Sequence, residues 1–318
     1  MDGDLCELAP DSWARLAIAD VCTRVTSGST PSRTEPSYFV GGIWPWVKTQ
    51  ELMDTWIDDT DEHITDVAIE ASSAKVLPRN TVLLAMYGAT VGKLGLLRRP
   101  MTCNQACCAM IVDAERADAR YVFYQLLLHR SQLRRLATGA AQQNLSGQRV
   151  KEFRLPFPPL AEQRAIASIL GALDDKIELN RRMNETLEGI ARALFDEQFG
   201  EADANAALGD LVEIQRDGTN PQDHVDEWFD HYSLPAFDEG QRPARARGSD
   251  IKSNKFVLFA GCVLLSKLNP SIPRVWFPRI SKDRRSIAST EFLVLRPTKS
   301  SSPEFLNCLL RNDSVREH

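Results

Sequence analysis

The pattern of hydrophobic and polar positions predicts one long helix near the middle of the chain. Between Leu160 and Phe199 there is no proline, and glycine occurs only at Gly171 and Gly189. Apolar and amide residues recur there at alternating steps of three and four, which is the heptad pattern of a helix that packs against a partner helix. A helix of this length would span roughly 60 Å at about 1.5 Å per residue. The pattern therefore predicts a rod that separates two parts of the chain.

The heptad seam defines the residues expected to face a partner helix. They are Ile166, Leu170, Leu173, Ile177, Asn180, Leu187 and Leu194. The prolines of LPFPPL prevent helix just before the rod, and Gly200 ends it. The alternative is a buried helix inside one large domain, although helices beyond about 25 residues are usually coiled coils, repeats or membrane spans. The charges at Asp174, Asp175 and Lys176 exclude a membrane span.

Strand and helix signals alternate before the rod. TVLLAMY from Thr81 and NQACCAMIVD from Asn104 predict buried strands, with a glycine-punctuated loop, GATVGKLG, between them. ARYVFYQLLLHRSQLRRLA, residues 119–137, predicts a single amphipathic helix with a basic outer side. This alternation predicts an α/β domain. We predict a first domain at residues 1–155, the long helix segment at 156–201 and a second domain at 202–318.

The order of features before the rod returns after it, which predicts an internal repeat. LGDLVEIQRDGTNP from Leu208 echoes LAIADVCTRVTSGSTP, with Gly218 in the place of Gly28. VLFAGCVLLSK echoes VLPRNTVLLAM, STEFLVLRP stands where QACCAMIVD stood, and SPEFLNCLLR answers ARYVFYQLLL. We therefore predict two α/β domains of one layout on either side of a coiled-coil-type helix.

The overall composition is that of a globular cytoplasmic protein. Of the 318 residues, 43% are hydrophobic and 25% are charged. The start, MDGDLCELAPDSW, is acidic and lacks the basic and apolar parts of a signal peptide. The seven cysteines form no CxxC pair and have no nearby histidines, which predicts reduced core residues and no zinc site.

The charge is distributed unevenly along the chain. The net charge is −5, which by itself argues against nucleic acid as a partner. Residues 1–72 contain 4 basic and 14 acidic residues, whereas residues 242–299 contain 13 basic and 3 acidic ones. Residues 114–155 contain 8 basic and 3 acidic residues. Two basic regions thus flank the long helix, although each alone could be an ordinary solvated surface.

The sequence contains no pattern of a known catalytic site. It has no GxxxxGK[ST] phosphate loop, no GxGxxG, no HExxH and no GxSxG elbow, and its five histidines are isolated. PFPP at Pro156 lacks both ends of the Asp/Asn-Pro-Pro-aromatic signature of amino-methylating enzymes. We predict that the chain has no catalytic residues, no metal ligands and no cofactor of its own.

The remaining polar residues suit nucleic-acid binding better than catalysis. Arginine and lysine reach phosphates, while arginine, glutamine and asparagine can form paired hydrogen bonds with base edges in the major groove. Each candidate residue is weak evidence alone, since amide-rich loops are mostly solvated turns. The candidates for DNA binding are Lys48, Thr49, Gln50, Lys93, Gln142, Gln143, Asn144, Arg242, Arg245, Arg247, Lys252 and Lys267.

Several motifs in one order resemble a known family. The stretch NLSGQRVKEFRLPFPPLAEQRAIASILGALDDKIELNRRMNETLEGIARALFDEQF is similar to the central conserved region of type I restriction-modification specificity subunits. TSGSTPSR, GGIWPWVKTQEL and GATVGKLG with Asn104 and Gln105 resemble the first target-recognition domain of that family. The similarity covers nearly all of the first 200 residues, and the second half matches in layout only.

The resemblance implies a subunit without chemistry of its own. Two α/β target-recognition domains, separated by a long coiled-coil-type helix, would each recognise half of a bipartite DNA sequence, and the helix would fix the gap between half-sites. The helix would also seat two methyltransferase subunits, which use S-adenosylmethionine. Restriction subunits with ATP-driven translocation would join the complex. The whole would be an endonuclease and methyltransferase assembly in the cytoplasm.

One departure from the family pattern affects the expected assembly. The second conserved helix of the family, which packs antiparallel on the first, would follow the second recognition domain, and the sequence stops at His318 before it. Either the chain is a fragment or a truncated gene, with an incomplete second domain, or the seam finds its partner on another copy. With its seam exposed, we expect the chain to self-associate or aggregate.

Two other functions stay open on the sequence alone. The chain could be the recognition portion of a fused restriction and methylation enzyme, although the acidic start and the absence of catalytic motifs argue against this. It could also be a truncated specificity protein that acts only as a helical scaffold for other proteins. The basic excess of both flanking regions argues against the scaffold. A DNA-binding assay separates the scaffold from a DNA-recognition subunit.

Overall fold

The computed structural model describes Pro10 and residues 12–137, 144–200, 207–269, 272 and 274–312. Contacts divide the chain into two compact units, Met1–Asn180 (unit 1) and Arg181–His318 (unit 2), with the long helix continuing across the boundary. Both units combine strands and helices, which confirms the α/β class. The predicted domain boundaries stay predictions. Within the described residues, every helix is too short or too polar to span a lipid bilayer.

The elements of unit 1 follow the alternation predicted from the sequence. Its described strands are β1 (Ala14–Ala17), β2 (Cys22–Ser27), β3 (Trp44–Val47), β4 (Thr55–Ile57), β5 (His63–Ile64), β6 (Val82–Ala85), β7 (Leu94–Leu97), β8 (Thr102–Cys103), β9 (Cys107–Val112) and β10 (Arg154–Phe157). Its helices are α1 (Asp66–Ala71), α2 (Ala119–Leu128), α3 (Arg130–Leu136), α4 (Gly147–Glu152) and α5 (Leu160–Phe199), of which α5 extends into unit 2.

A five-stranded sheet forms the centre of unit 1. The strand order is β2-β9-β6-β7-β4, with β6 antiparallel to both of its neighbours. Every residue of β6 is buried, because both faces of the sheet are covered. Val82 and Leu84 belong to the core on one face, and Leu83 and Ala85 belong to the core on the other. A smaller sheet, β5-β3-β8, and the pair β1-β10 complete the unit.

The helix predicted across residues 119–137 is wrong as a single element, because it breaks at His129. The backbone there leaves the helical region at φ −94° and ψ 17°, which ends α2 and starts α3. The His129 ring is buried, and its Nδ1 lies 2.9 Å from the carbonyl oxygen of Gln125. The same carbonyl oxygen also accepts the His129 backbone N–H at 3.0 Å, so His129 closes the last turn of α2 before α3 begins.

The long helix α5 is confirmed with the bounds predicted from the sequence, Leu160–Phe199. Its first half packs on unit 1 through Gln163, Ala167 and Gly171, which recur every four residues on one buried stripe. The helix ends at Gly200, where an added Cβ would lie 2.4 Å from the carbonyl oxygen of Asp196. Glycine is therefore required at this turn.

The six described cysteines are free, and all but Cys308 belong to the hydrophobic cores, as predicted. Cys103, Cys107, Cys108 and Cys262 are buried, and Cys22 and Cys308 are half-buried. Burial raises the pKa of the Cys108 thiol to about 12, so this side chain is protonated and unreactive at neutral pH. Cys6 lies outside the described residues.

Unit 2 contains the end of α5 followed by strands and short helices. The described strands are β11 (Val212–Gln215), β12 (Gly218–Thr219), β13 (Trp228–Tyr232), β14 (Ala244–Arg247), β15 (Lys255–Val257), β16 (Val263–Ser266), β17 (Val275–Trp276), β18 (Arg285–Ser289) and β19 (Phe292–Pro297). The helices are α6 (Leu208–Leu211), α7 (Leu234–Asp238) and α8 (Pro303–Arg311).

The internal repeat predicted from the sequence is confirmed by strand order. The sheet β11-β19-β16-β17 repeats the order β2-β9-β6-β7 of unit 1, strand for strand along the chain. Each unit then continues into a helix, α2 after β9 and α8 after β19. The faint sequence echo therefore marks two copies of one supersecondary layout.

The two units differ in their second sheet. In unit 1 it is the three-stranded β5-β3-β8, whereas in unit 2 it has five strands in the order β12-β15-β18-β13-β14. The two second sheets have the same pairing around one strand. Strand β3 pairs parallel with β8 and antiparallel with β5, and β13 pairs parallel with β18 and antiparallel with β14. Unit 2 therefore presents a wider sheet whose outer strand, β14, is rich in arginine.

Candidate nucleic-acid interface

The three candidates that follow β3 differ in their access to a ligand. The Lys48 ammonium donates to Glu62 Oε1 at 2.7 Å, and the Lys48 backbone N–H donates to Glu51 Oε2 at 2.7 Å. Thr49 is buried, whereas Gln50 is exposed. The charge of Lys48 is already paired within the protein, and Gln50 is the open side chain of the three.

Arg33 shares the carboxylate of Glu62 and was missed by the sequence analysis. Its guanidinium pairs with Glu62 and lies 4.8 Å from the ring centre of Phe39 and 5.0 Å from that of Trp46. Hydrogen bonds from Arg33 and then Lys48 lower the pKa of Glu62 to about 2. The cluster thus places two cations on one ionised carboxylate. The available signal was the position of Arg33 at the end of the TSGSTPSR turn motif.

Lys93 lies near the end of the central sheet where β6 stops. Its ammonium is 3.2 Å from Asp54 Oδ2, and the same carboxylate pairs with Arg130. The Asp54 side chain is 20% exposed, so this is a partly buried network in which two cations share one anion. Asp54 therefore holds the Lys93 ammonium in place, and the Lys93 side chain remains partly exposed.

The amide-rich loop is described only at its last member. Asn144 forms an isolated β-bridge with Tyr87, just beyond the end of β6, and its side chain is exposed. The fold thus brings Asn144 and Lys93 to loops at the same end of the central sheet. Gln142 and Gln143 lie outside the described residues.

Unit 2 places two arginines beside an exposed tryptophan. Trp228 on β13 is 38% exposed, and Arg245 and Arg247 of β14 lie with Cζ 4.7 Å and 5.1 Å from its ring centre. The arrangement follows from register, because Trp228 stands opposite Arg247 and side chains two residues apart share a face. Both arginines are exposed, and within the described part of the chain neither forms an ion pair. Their charges are therefore available to a ligand.

Two more arginines lie at the start of the neighbouring strand β18, Arg284 just before it and Arg285 as its first residue, and acidic residues fix their positions. Arg284 Nε donates to Asp230 Oδ1 at 2.9 Å, and the Asp230 side chain is only 10% exposed. Arg285 donates to Glu227 and to the hydroxyl of Thr219, both at 3.3 Å. Asp230 lies two residues from Trp228 on the same strand face, so Arg284 is held beside the tryptophan.

These side chains line one groove of about 480 Å³, which we call the basic groove. Its lining residues are Glu227, Trp228, Arg245, Lys282, Asp283, Arg284 and Arg285. Guanidinium groups in such a place can bind phosphate oxygens or the edge of guanine, and an indole can stack on a planar group. The basic groove is therefore chemically suited to nucleic acid.

Four basic or aromatic residues in the basic groove were not predicted from the sequence. Trp228, Lys282, Arg284 and Arg285 were missed, whereas Arg245 was a candidate. The signals were the run SKDRRS from Ser281 and a tryptophan placed next to the acidic residues before β13. Neither run resembles a binding motif by itself. The strands that bring the two runs together, β13 and β18, are more than 50 residues apart in sequence.

The remaining candidates in unit 2 lie around this surface or apart from it. Arg242 and Lys252 are exposed on the loops that precede and follow β14. The Lys267 ammonium donates to the carbonyl oxygen of Thr290 at 2.8 Å and lies 5.4 Å from the ring centre of Phe256. Lys267 is therefore partly engaged by its own unit. Within the residues that the structure describes, no group of three or more histidine, cysteine or acidic residues is placed to hold a metal ion.

The candidate interface residues on α5 divide into two sets. Ile166 and Leu170 are half-buried, and Ile166 packs against the core of unit 1. Leu173, Ile177, Leu187 and Leu194 are more than half exposed, at 57%, 64%, 56% and 54%, and Asn180 is exposed as well. Further exposed apolar residues broaden the stripe. They are Ile169, Met183 and Ile190.

Comparison with known proteins identifies a matching family. A family model described as the type I restriction modification DNA specificity domain matches residues 10–189. The MjaIX specificity subunit of a type I restriction enzyme from Methanocaldococcus jannaschii is 28% identical over 251 residues, which is 71% of this chain and 57% of that protein. The EcoR124I/EcoR124II specificity subunit from Escherichia coli is 26% identical over 172 residues, which is 52% of this chain and 41% of that protein. The chain spans about half the length of these relatives.

A solved structure supports the fold independently of sequence. The crystal structure of a type I restriction-modification system S subunit from M. genitalium aligns with a TM-score of 0.61 at 17% identity. The alignment covers 98% of this chain and 80% of that one. The similarity shows that both chains share an α/β fold with a long helix.

Proposed function

The chain belongs to the type I restriction-modification DNA specificity family, and from that membership we propose that it is the DNA-recognition subunit of a restriction-modification complex. In this role it binds double-stranded DNA and performs no catalysis. Methyl transfer from S-adenosylmethionine and DNA cleavage belong to methyltransferase and restriction subunits that assemble with it in the cytoplasm. The family match carries the proposal, and the basic groove is the structural feature that supports it.

The basic groove supports DNA as the ligand because its charge is only partly compensated. Asp230 and Glu227 hold Arg284 and Arg285, while Arg245 projects from an outer strand beside Trp228. Cations on an exposed strand surface can release counterions from the phosphate backbone, which supplies most of the affinity for DNA. An arginine fixed by a carboxylate can in addition be aimed at a base edge. The groove therefore combines positioning with recognition.

The repeated layout supports recognition of a bipartite sequence. Each unit contains the same four-stranded order, and their second sheets differ in width and charge. Two copies of one layout with different surface residues would recognise two different half-sites. The stiff helix α5 would set a constant spacer between them, because the major groove recurs every 10 to 10.5 base pairs or so.

Methylation mapping tests this proposal directly. The chain is co-expressed with the methyltransferase subunit of its own system, and genomic DNA is sequenced for modified bases. We expect one motif with two specific halves and a spacer of constant length. The control is the methyltransferase without the chain, which should leave that motif unmodified. Methylation that does not depend on the chain, or methyl transfer by the purified chain alone, would contradict the proposal.

A binding assay separates DNA recognition from a purely scaffolding role. Fluorescence anisotropy with a duplex carrying the mapped motif should show affinity that falls steeply between 50 and 200 mM salt, as expected for several phosphate contacts. A duplex with scrambled half-sites is the control. Absence of DNA binding, even with methyltransferase present, would instead favour the helical scaffold.

Self-association is a second candidate property, and the exposed apolar stripe on α5 supports it. Leu173, Ile177 and Leu187 leave apolar surface in water, and such surface at heptad spacing is usually covered by another helix. We propose that the stripe from Leu173 to Leu194 packs against a helix of a second copy when no other helix is supplied. Light scattering at micromolar concentration tests this, and a monodisperse monomer would contradict it.

A further inference from the structure

A second positively charged cleft lies in unit 1, away from the candidates for DNA binding. It has a volume of about 360 Å³ and lies between the turn before β6, the end of β9, the start of α2 and the first turns of α5. The residues that give it its character are Arg79, Asn80, Ile111, Asp118, Arg120 and Arg164. We call it the arginine cleft.

The charge of the arginine cleft is not compensated within the protein. Among the described residues, Arg79, Arg120 and Arg164 form no ion pair, whereas nearby Arg98 pairs with Asp58 at 2.7 Å. The one acidic residue in the lining is Asp118, and its Oδ1 accepts the backbone N–H groups of residues 120 and 121 at 3.0 and 3.1 Å as the cap of α2. Three arginines therefore line one cleft whose single carboxylate is already engaged.

Several contacts fix one wall of the cleft, where the start of α2 meets α5. Arg98 and Arg120 lie on Trp56, each with Cζ 4.8 Å from the ring centre. Gly171 of α5 leaves room for Arg120, since an added Cβ would lie 2.6 Å from its Nη1. Buried Gln163 joins α5 to the start of α2 by accepting the Asp118 N–H at 3.1 Å. A ligand would thus meet one arginine already in place, Arg120, beside the exposed Arg79 and Arg164.

The position of the arginine cleft argues against DNA as its ligand. The cleft lies where β6 begins at Val82 and β9 ends at Val112, and these strands are antiparallel. Lys93 and Asn144 lie at the opposite end, where β6 stops at Ala85. At about 360 Å³ the cleft has room for a few side chains of a partner.

From these observations we propose that the arginine cleft binds carboxylate side chains of a protein partner, the methyltransferase subunit. The identity of the partner rests on the proposed function. Arginine and carboxylate form charge-assisted, paired hydrogen bonds, and the apolar walls at Pro78 and Ile111 would pack on the methylene groups of an acidic side chain. The cleft borders α5, so a partner held there also contacts the first turns of the long helix.

Charge reversal tests the proposal in the full chain. Arg79→Glu and Arg164→Glu place like charges against the partner's carboxylates, and together they should weaken binding of the purified methyltransferase subunit at least about tenfold by isothermal titration calorimetry. The neutral pair Arg79→Gln and Arg164→Gln should have a smaller effect of the same sign. Arg135→Glu, a reversal at an exposed arginine of α3, is the matched control and should leave the affinity unchanged.

The outcomes separate the cleft from the wider function. Unchanged methyltransferase affinity in the charge-reversed variant overturns the cleft proposal alone, whereas an unaltered chain that binds no methyltransferase refutes the proposed partner itself. The duplex affinity of the isolated chain should be equal in the variant and the unaltered protein. A loss there would assign the cleft to DNA phosphates and overturn the proposal. Circular dichroism melting of each variant, with an unchanged midpoint, excludes misfolding as the cause.

Discussion

Gly28 and its counterpart in the repeat, Gly218, should respond oppositely to the same small change. A Cβ added at Gly28 would lie 2.0 Å from the carbonyl oxygen of Cys103 and 2.4 Å from that of Asn104. Both neighbours are backbone atoms, so the strand ends themselves would have to separate by more than about 1 Å to reach ordinary contact. At Gly218 the nearest atom, the carbonyl oxygen of Lys255, is 3.7 Å away, which is already an ordinary contact.

The expected magnitude for Gly28→Ala follows from the contacts that such a separation disrupts. Gly28 N–H donates to the Cys107 oxygen at 3.3 Å, and Ser29 N–H donates to the Cys103 oxygen at 2.9 Å. Losing both hydrogen bonds costs about 1 kcal/mol each, and forced overpacking adds about 1 to 3 kcal/mol. We therefore expect Gly28→Ala to lower the free energy of unfolding by about 3 to 5 kcal/mol. Gly218→Ala should be neutral or stabilising by up to about 1 kcal/mol.

Differential scanning calorimetry of the full chain measures both variants. For a unit of this size, about 3 kcal/mol corresponds to a fall in Tm of about 6 to 12 °C for the transition of unit 1. Gly218→Ala is the control for the general effect of removing a glycine. The reasoning would be refuted by a Gly28→Ala variant that melts within about 1 °C of the unaltered protein, or by equal losses at the two positions.

Three further outcomes follow from unit 2 and α5. Arg245→Ala should weaken binding to the specific duplex by about 1 to 3 kcal/mol if the side chain contacts a base, measured by anisotropy against Lys299→Ala, and equal effects of the two would remove the basic groove from recognition. Burial lowers the pKa of His231 to about 4, so the unfolded chain takes up a proton below pH 6.5 that the folded chain resists. Stability of unit 2 should therefore fall by about 2 kcal/mol between pH 6.5 and 4, and His231→Gln should reduce that slope in urea titrations. Leu187→Asp should shift light-scattering mass toward the monomer, whereas Thr186→Asp on the adjacent solvent side should not.

Features that depend on local spacing were predictable from the sequence. The bounds of α5 follow from proline before it, glycine after it and a heptad pattern between them, all of which act within a few residues. The repeat followed from the order of hydrophobic strands, and the strand orders of the two units confirm it. The break at His129 was not predictable, because the burial of its ring is a property of the tertiary structure.

The chemistry of single side chains was decided by residues distant in sequence. Lys48 was predicted to contact DNA, yet it shares Glu62 with Arg33 across a turn that the sequence does not reveal. Trp228 was recognisable as a candidate only from the structure, because antiparallel register places Arg247 opposite it. Both pairings join residues that strands and turns bring together from distant parts of the chain.

The sequence by itself determined the α/β class, the long helix, the twofold repeat and the family, because each is written in periodicity or in motifs that are continuous along the chain. Tertiary structure decided which charges are available. A carboxylate neutralises a nearby cation only when the fold brings the two within a few ångströms, and in this chain Glu62 engages Lys48 while Arg79 and Arg164 are left facing an open cleft. Proximity between residues distant in sequence is a property of strand register and packing.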